Sequence, residues 1–436
     1  MPTEPENAPP DFASPENTPT SGPPPSDPPA GPSASGPGRR RALLAVGAVL
    51  AAGFGAAAGE LAPGGSVFGG SLLGGSTGSG RPPARGVGAP PPEAAIPFHG
   101  VRQSGLTGPQ LATTRLLAFD LPSNSPVADR TALRTVLAEW TGLLAATAAG
   151  TPPDPRLRGD DGPPRTASLV GLGPALAARL SLAVPGGLAE PPVFPGDRLD
   201  PARGGGDLLL QLSAADPWTL AVLTELAGAA AHSAGALPRW SQSGFLPPTR
   251  PGVTPRNLFG FKDGTANPDE DAARQWVWGP PGPHENATVL VYRRIRMDTA
   301  AFAALPTEGQ EAAMGRRVGD GAPLTGAAER DEPDLYAKHP DGAYVIPATA
   351  HVRLTGPRLD GGARMLRRGY SYDDAPDDRG LLFAAFVRDT AQFTRVQSRL
   401  AERDALNPFL AHTASAVAYI LPGAPPGTVL GERLFI

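Results

Sequence analysis

The chain has 436 residues, a formal net charge of -4, 55 glycines, 55 prolines, six histidines and no cysteine. That charge gives no electrostatic case for nucleic acid. The missing cysteine excludes disulfide scaffolds, thiolate metal sites and thiol nucleophiles together. Any imidazole ligand must then be His99, His232, His284, His339, His351 or His412.

In chain order, residues 2–38 are rich in Pro, Ser and Gly, have no periodic apolar face, and are expected to be disordered. Arg39, Arg40 and Arg41 then precede an apolar run over 42–58 that closes on Ala56-Ala57-Ala58. The run is short and glycine-rich for a membrane span, which needs roughly 20 strongly apolar residues. An arginine pair before a weakly apolar stretch closed by small residues resembles a twin-arginine export signal. An uncleaved anchor and a buried helix after a basic turn are the alternatives. A second Gly/Pro/Ser-rich stretch follows. The expected organisation is a leader and signal over 1–58, a linker over 59–97 and a globular domain over 98–436.

Within that domain, 114–121 reads as a strand. Apolar residues at helical spacing (Leu133, Val136, Leu137, Trp140, Leu143, Leu144) predict a helix over 132–149. After a Pro/Asp/Gly-rich loop at 150–165 come a short strand, a helix over 175–180, a buried strand over 207–213, and a helix over 218–232 opened by Pro217. A similar order begins again at 287–295, a strand. Helices at 299–305 (capped by Asp298) and 307–317 follow, then a strand or strand end at 348–354, a strand at 381–388, a helix at 390–402 and a strand at 414–421. This succession predicts two α+β units, over about 98–245 and 246–436, each a sheet with helices on one side. The repeat is one of pattern, not of residues.

Three stretches carry candidate chemistry. Gly260-Phe261-Lys262-Asp263-Gly264-Thr265-Ala266-Asn267-Pro268 places one carboxylate between glycines, either as an ordinary turn or as a loop whose backbone can lie against a large flat group. Ala350-His351-Val352-Arg353 flanks an imidazole with small residues, leaving room for a planar partner; a structural histidine is the alternative. Arg364-Met365-Leu366-Arg367-Arg368-Gly369-Tyr370 gathers cations suited to a carboxylate or a developing negative charge, or to a solvated edge.

In this order, the three stretches together resemble the dye-decolorising peroxidases. Gly100–Leu106, Phe194-Pro195-Gly196-Asp197, Gly206–Gln211 and Ala411-His412-Thr413-Ala414-Ser415 support the likeness. With the arginine leader, the chain is most similar to the exported branch that includes deferrochelatase/peroxidases. The resemblance implies tandem ferredoxin-like units forming a dimeric α+β barrel around one haem b. It implies His351 as proximal iron ligand, Asp263 as distal acid–base residue and Arg367 as distal arginine. Gly264, Thr265 and Ala266 would lie against the haem, as would Gly356, Pro357 and Arg358, where the family often has Asn in place of Gly356. Phe383 and Phe386 would form the distal apolar wall. Hydrogen peroxide and small organic reductants are the implied partners, with the twin-arginine machinery and iron-uptake proteins as further ones, and a homo-oligomer as the implied assembly. The implied location is extracellular, periplasmic or on the cell envelope. Release of iron from haem with the porphyrin intact is an alternative function, and non-enzymatic haem delivery a third. A carboxylate as acid–base group, where other peroxidases use an imidazole, implies an acidic activity optimum.

Overall fold

The computed structural model describes residues 94–122, 125–159, 162–185, 187–250 and 252–435. The leader, the arginine signature and all of the linker before residue 94 lie outside them. The first half runs α1 (Ser104–Thr107), β1 (Thr113–Asp120), α2 (Pro126–Ala148), β2 (Thr166–Leu172), α3 (Pro174–Arg179), β3 (Leu208–Ala214), α4 (Pro217–Ser233) and β4 (Leu237–Phe245). The two long helices start as their sequences dictate. Ser125 accepts from the Ala128 amide and Asp216 from the Thr219 amide, each with proline at the first helical position, where no N–H is needed. The strands pair antiparallel in the order β4-β1-β3-β2. Leu133, Leu137, Trp140 and Leu223 of the helices pack on Phe119, Val170, Leu210 and Leu212 of the sheet.

The second half runs α5 (Glu270–Trp276), β5 (Thr288–Met297), α6 (Thr299–Ala303), α7 (Thr307–Met314), α8 (His351–Leu354), β6 (Leu366–Arg367), β7 (Tyr370–Ala375), β8 (Asp378–Val387), α9 (Thr390–Arg403) and β9 (Leu410–Ile420). Its order is β7-β8-β5-β9, with β6 on the same edge of β8 as β7. Strands one to four of each half therefore lie in the order 4-1-3-2, the ferredoxin-like arrangement, once per half. Pairing of β2 with β9 and of β4 with β7 joins the two sheets, so that eight strands close into an antiparallel barrel. Leu116, Leu209, Leu290, Tyr292, Phe386 and Ala418, from both halves, fill the interior between the sheets. Among the described residues no helix is long and apolar enough to cross a membrane.

The structure departs from the sequence expectations at several elements. The strand expected at 348–354 is instead the single turn α8, preceded by loop. Neither β4 nor β7 was expected. Finally, α2 starts at Pro126 rather than 132.

Candidate active site

One cavity of about 690 Å³ opens against the outer face of the second half, bounded by β5, β8, α8, α9 and the loops before α5 and after α7. That volume falls within the roughly 300–1,000 Å³ of sites that enclose a cofactor-sized molecule. Asp263, Gly264, Thr265, Ala266, His351, Gly356, Pro357, Arg358, Arg367 and Phe383 all line it. Phe386 does not. Side chains alternate across a strand, so residues three apart on β8 face opposite ways. Phe383 meets the cavity, while Phe386 is fully buried among Tyr292, Tyr372 and Ala416 in the barrel interior.

The Asp263 loop is held by its backbone. Gly260 and Gly264 adopt φ of 85° and 103°, in the region that favours glycine. The Arg256 guanidinium donates to the carbonyls of Gly260 (2.6 Å) and Gly319 (2.8 Å), and the Asp263 amide donates to Pro255 O (2.9 Å). Lys262 pairs with Glu329, which also accepts from Thr254. Arg367 lies opposite Ala385 in the β6–β8 register, hence on the face of β8 that carries Phe383. Asn267 joins loop to strand. Its Nδ2 donates to Arg367 O (2.8 Å) and its Oδ1 accepts from Arg367 N (2.9 Å), the two bonds a strand neighbour would make. With both backbones fixed, Arg367 Nε stands 4.0 Å from Asp263 Oδ1.

His351 is the first residue of α8. Its Nδ1 donates to Asp404 Oδ2 at 2.6 Å, which leaves Nε2 free to ligate. The Asp404 carboxylate is buried, and its other oxygen accepts from the Leu406 amide (2.9 Å). Sequence reasoning did not single out Asp404. A signal existed: Phe393, Val396, Leu400 and Asp404 continue one helical stripe from α9, so an acid ends a row of apolar residues turned to the cavity. Asp404→Asn is expected to keep the pocket but lower peroxide turnover about 10–100-fold, the usual cost of losing an imidazole's carboxylate partner. Steady-state rates on variant protein with matched cofactor content check this.

A second ionic group reaches the cavity through His412, one of its lining residues. Arg293, completely buried on β5, pairs with Asp197 and donates through Nε to His412 Nδ1 (3.1 Å). Burial, then the Arg293 charge, pushes the His412 imidazole down to about 4, with Asp197 opposing. The unfolded chain therefore takes up a proton near the ordinary value of about 6.5 that the folded chain refuses. The stabilisation is complete above pH 6.5 and is lost as pH falls towards 4, by up to about 3 kcal/mol. Denaturant midpoints at pH 7 and 4.5 should drop less in His412→Gln than in the unchanged protein; equal drops would refute the assignment.

The fold and this cavity define a class of haem-dependent oxidoreductase: the chain belongs to the Dyp-type peroxidase family. The family's N-terminal model matches residues 103–246 and its C-terminal model residues 254–425. The chain is 37% identical to the dye-decolorizing peroxidase of Thermobifida fusca (strain YX) over 366 residues, 76% of this chain and 83% of that one. It is 32% identical to the deferrochelatase of Escherichia coli (strain K12) over 364 residues, 75% and 84% respectively. The solved structure of ferric DtpA from Streptomyces lividans superposes with a TM-score of 0.72 at 35% identity, covering 77% of this chain and 96% of that one.

Proposed function

We propose that the chain is an exported haem peroxidase that reduces hydrogen peroxide and oxidises dyes, phenols or similar small reductants. His351 is assigned as the iron ligand, Asp263 as the acid–base residue and Arg367 as its cationic partner. One observation carries this reading. A carboxylate-bound imidazole and an Asp–Arg pair, from elements far apart in sequence, line the same cavity.

The residues fit a haem. Met297, Met365, Phe383, Phe393, Leu400 and Leu406 offer an apolar wall to a flat macrocycle, and Arg358 and Arg364 offer cations to its carboxylates. The iron, when bound, supplies the redox chemistry. Asp263 takes the proton from one peroxide oxygen and returns it to the other, which leaves as water. Arg367 stabilises negative charge on the departing oxygen. Asp404 fixes the His351 ring and tautomer and increases the electron donation of its Nε2.

The E. coli and Yersinia relatives named deferrochelatase keep a second reading open, iron release with the porphyrin intact. Incubation of the protein with haem separates the two. Peroxide-dependent dye oxidation without free protoporphyrin supports the peroxidase; protoporphyrin release without peroxide use supports the other.

We place the protein outside the cytoplasm, carried there by the twin-arginine machinery, on the strength of Arg39, Arg40 and the apolar run after them. Lysine at both arginines should strand it in the cytoplasm. Iron-uptake proteins as partners and a homo-oligomer belong to the same reading, and co-purification and light scattering test them.

A further inference from the structure

The iron ligand assigned above sits on α8, a single turn from His351 to Leu354 that is too short to hold its own geometry. What fixes it lies outside it. Arg353 donates to the carbonyls of Leu335 (2.5 Å) and Ile346 (2.7 Å), which pins the turn to the loop before it. Against α9, the bond from His351 to Asp404 is one point of attachment, and a turn can pivot about one point.

Arg399, further back on α9, supplies a second point. Its Nε donates to Leu354 O (3.1 Å), the last carbonyl of α8. Leu354 is buried, and a helix end needs such a donor for carbonyls that have no partner within the helix. The Arg399 Nη1 and Nη2 donate to Asp360 Oδ1 (3.0 Å) and Oδ2 (2.5 Å), a forked pair that fixes the guanidinium plane. The Asp360 side chain is 3% exposed, and it ends the short helical turn Pro357–Asp360 that follows α8. Arg395, one turn earlier on α9, stands 3.5 Å from the same carboxylate but is half exposed. α9 therefore grips α8 at both ends, the ligand through Asp404 and the last carbonyl through Arg399.

We infer that Arg399 is a positioning residue for the iron ligand: held by Asp360, it fixes α8 against α9 and so sets where the His351 imidazole points. The inference rests on the haem reading.

The test follows transfer of haem from the loaded full chain to excess apomyoglobin. Arg399→Gln alone strands the buried Asp360 charge, so the working variant is Asp360→Asn/Arg399→Gln, which removes both charges together. It is expected to release haem about ten- to a hundredfold faster, the range for groups that orient a metal-bound imidazole, with a shifted Soret band. A general loosening of the cavity would also speed release. The same pair is therefore placed in His351→Gly supplied with free imidazole, where the ligand is no longer tied to α8. In that background the pair is expected to leave haem release unchanged. Arg399→Lys, which keeps the charge but not the fork, is read in the same two backgrounds should the paired variant not fold. Equal acceleration in both backgrounds, or no acceleration in the first, overturns the assignment. An unchanged chain that takes up no haem and shows no Soret band overturns the haem reading itself, which separates the two failures.

Discussion

Asp263→Asn is expected to lower kcat/KM for hydrogen peroxide by about 10²–10⁴-fold, the range spanned by general acid–base catalysis, while haem content and resting spectrum stay the same. The substitution is nearly isosteric. The Asp263 amide still donates to Pro255 O, and the loop keeps its glycine turns and the Arg256 staple. What disappears is a group able to take a proton from one oxygen and give it to the next. A variant with unchanged turnover would refute the acid–base role. Because the group is a carboxylate, the activity optimum is expected to be acidic. The fold pulls the other way through His412, whose partly buried imidazole is kept neutral beside Arg293, so that acid is destabilising. Activity measured at low pH is therefore expected to start high and decay faster than at neutral pH, and activity followed over time at both values shows it.

Arg367→Leu is expected to cost about 10²–10³-fold in the same constant, as removal of a preorganised donor to a developing charge does. Arg367→Lys should recover only part, since an ammonium on a flexible stem cannot reproduce a guanidinium fixed 4.0 Å from Asp263. The backbone of Arg367 is held by Asn267 whatever its side chain, so neither change should displace β6. Asp263 and Arg367 act on one proton transfer. The double variant should be far less impaired than the product of the two single losses. Multiplicative losses, read from peroxide kinetics of the three variants, would mean that the two side chains work independently.

Much of the frame is legible because the strands carry continuous apolar runs. β3 and β5, buried on both sides, read directly from Leu208–Ala214 and Thr288–Met297. β4 is hidden because Leu237–Phe245 includes Pro238, Arg239, Ser241 and Ser243, all of them exposed, with Gly244 packed against Leu382 and Tyr370. β7 is hidden by Asp373 and Asp374, charges that a local pattern cannot excuse; they pair with Arg379 and Arg294 from β8 and β5. In the site, the order of three motifs was enough to assemble Asp263, His351 and Arg367 around one cavity. Asp404 and Asn267 were not singled out because their meaning lies in a partner distant along the chain. Phe386 failed for a local reason: two phenylalanines three apart share a face on a helix but not on a strand.

The most direct test of the haem reading is the absorption spectrum of the purified protein and of His351→Ala. A Soret band in the unchanged protein that is lost or strongly shifted in the variant, with peroxide turnover lost alongside, is the predicted result. An unaltered band and unaltered turnover in His351→Ala would contradict it.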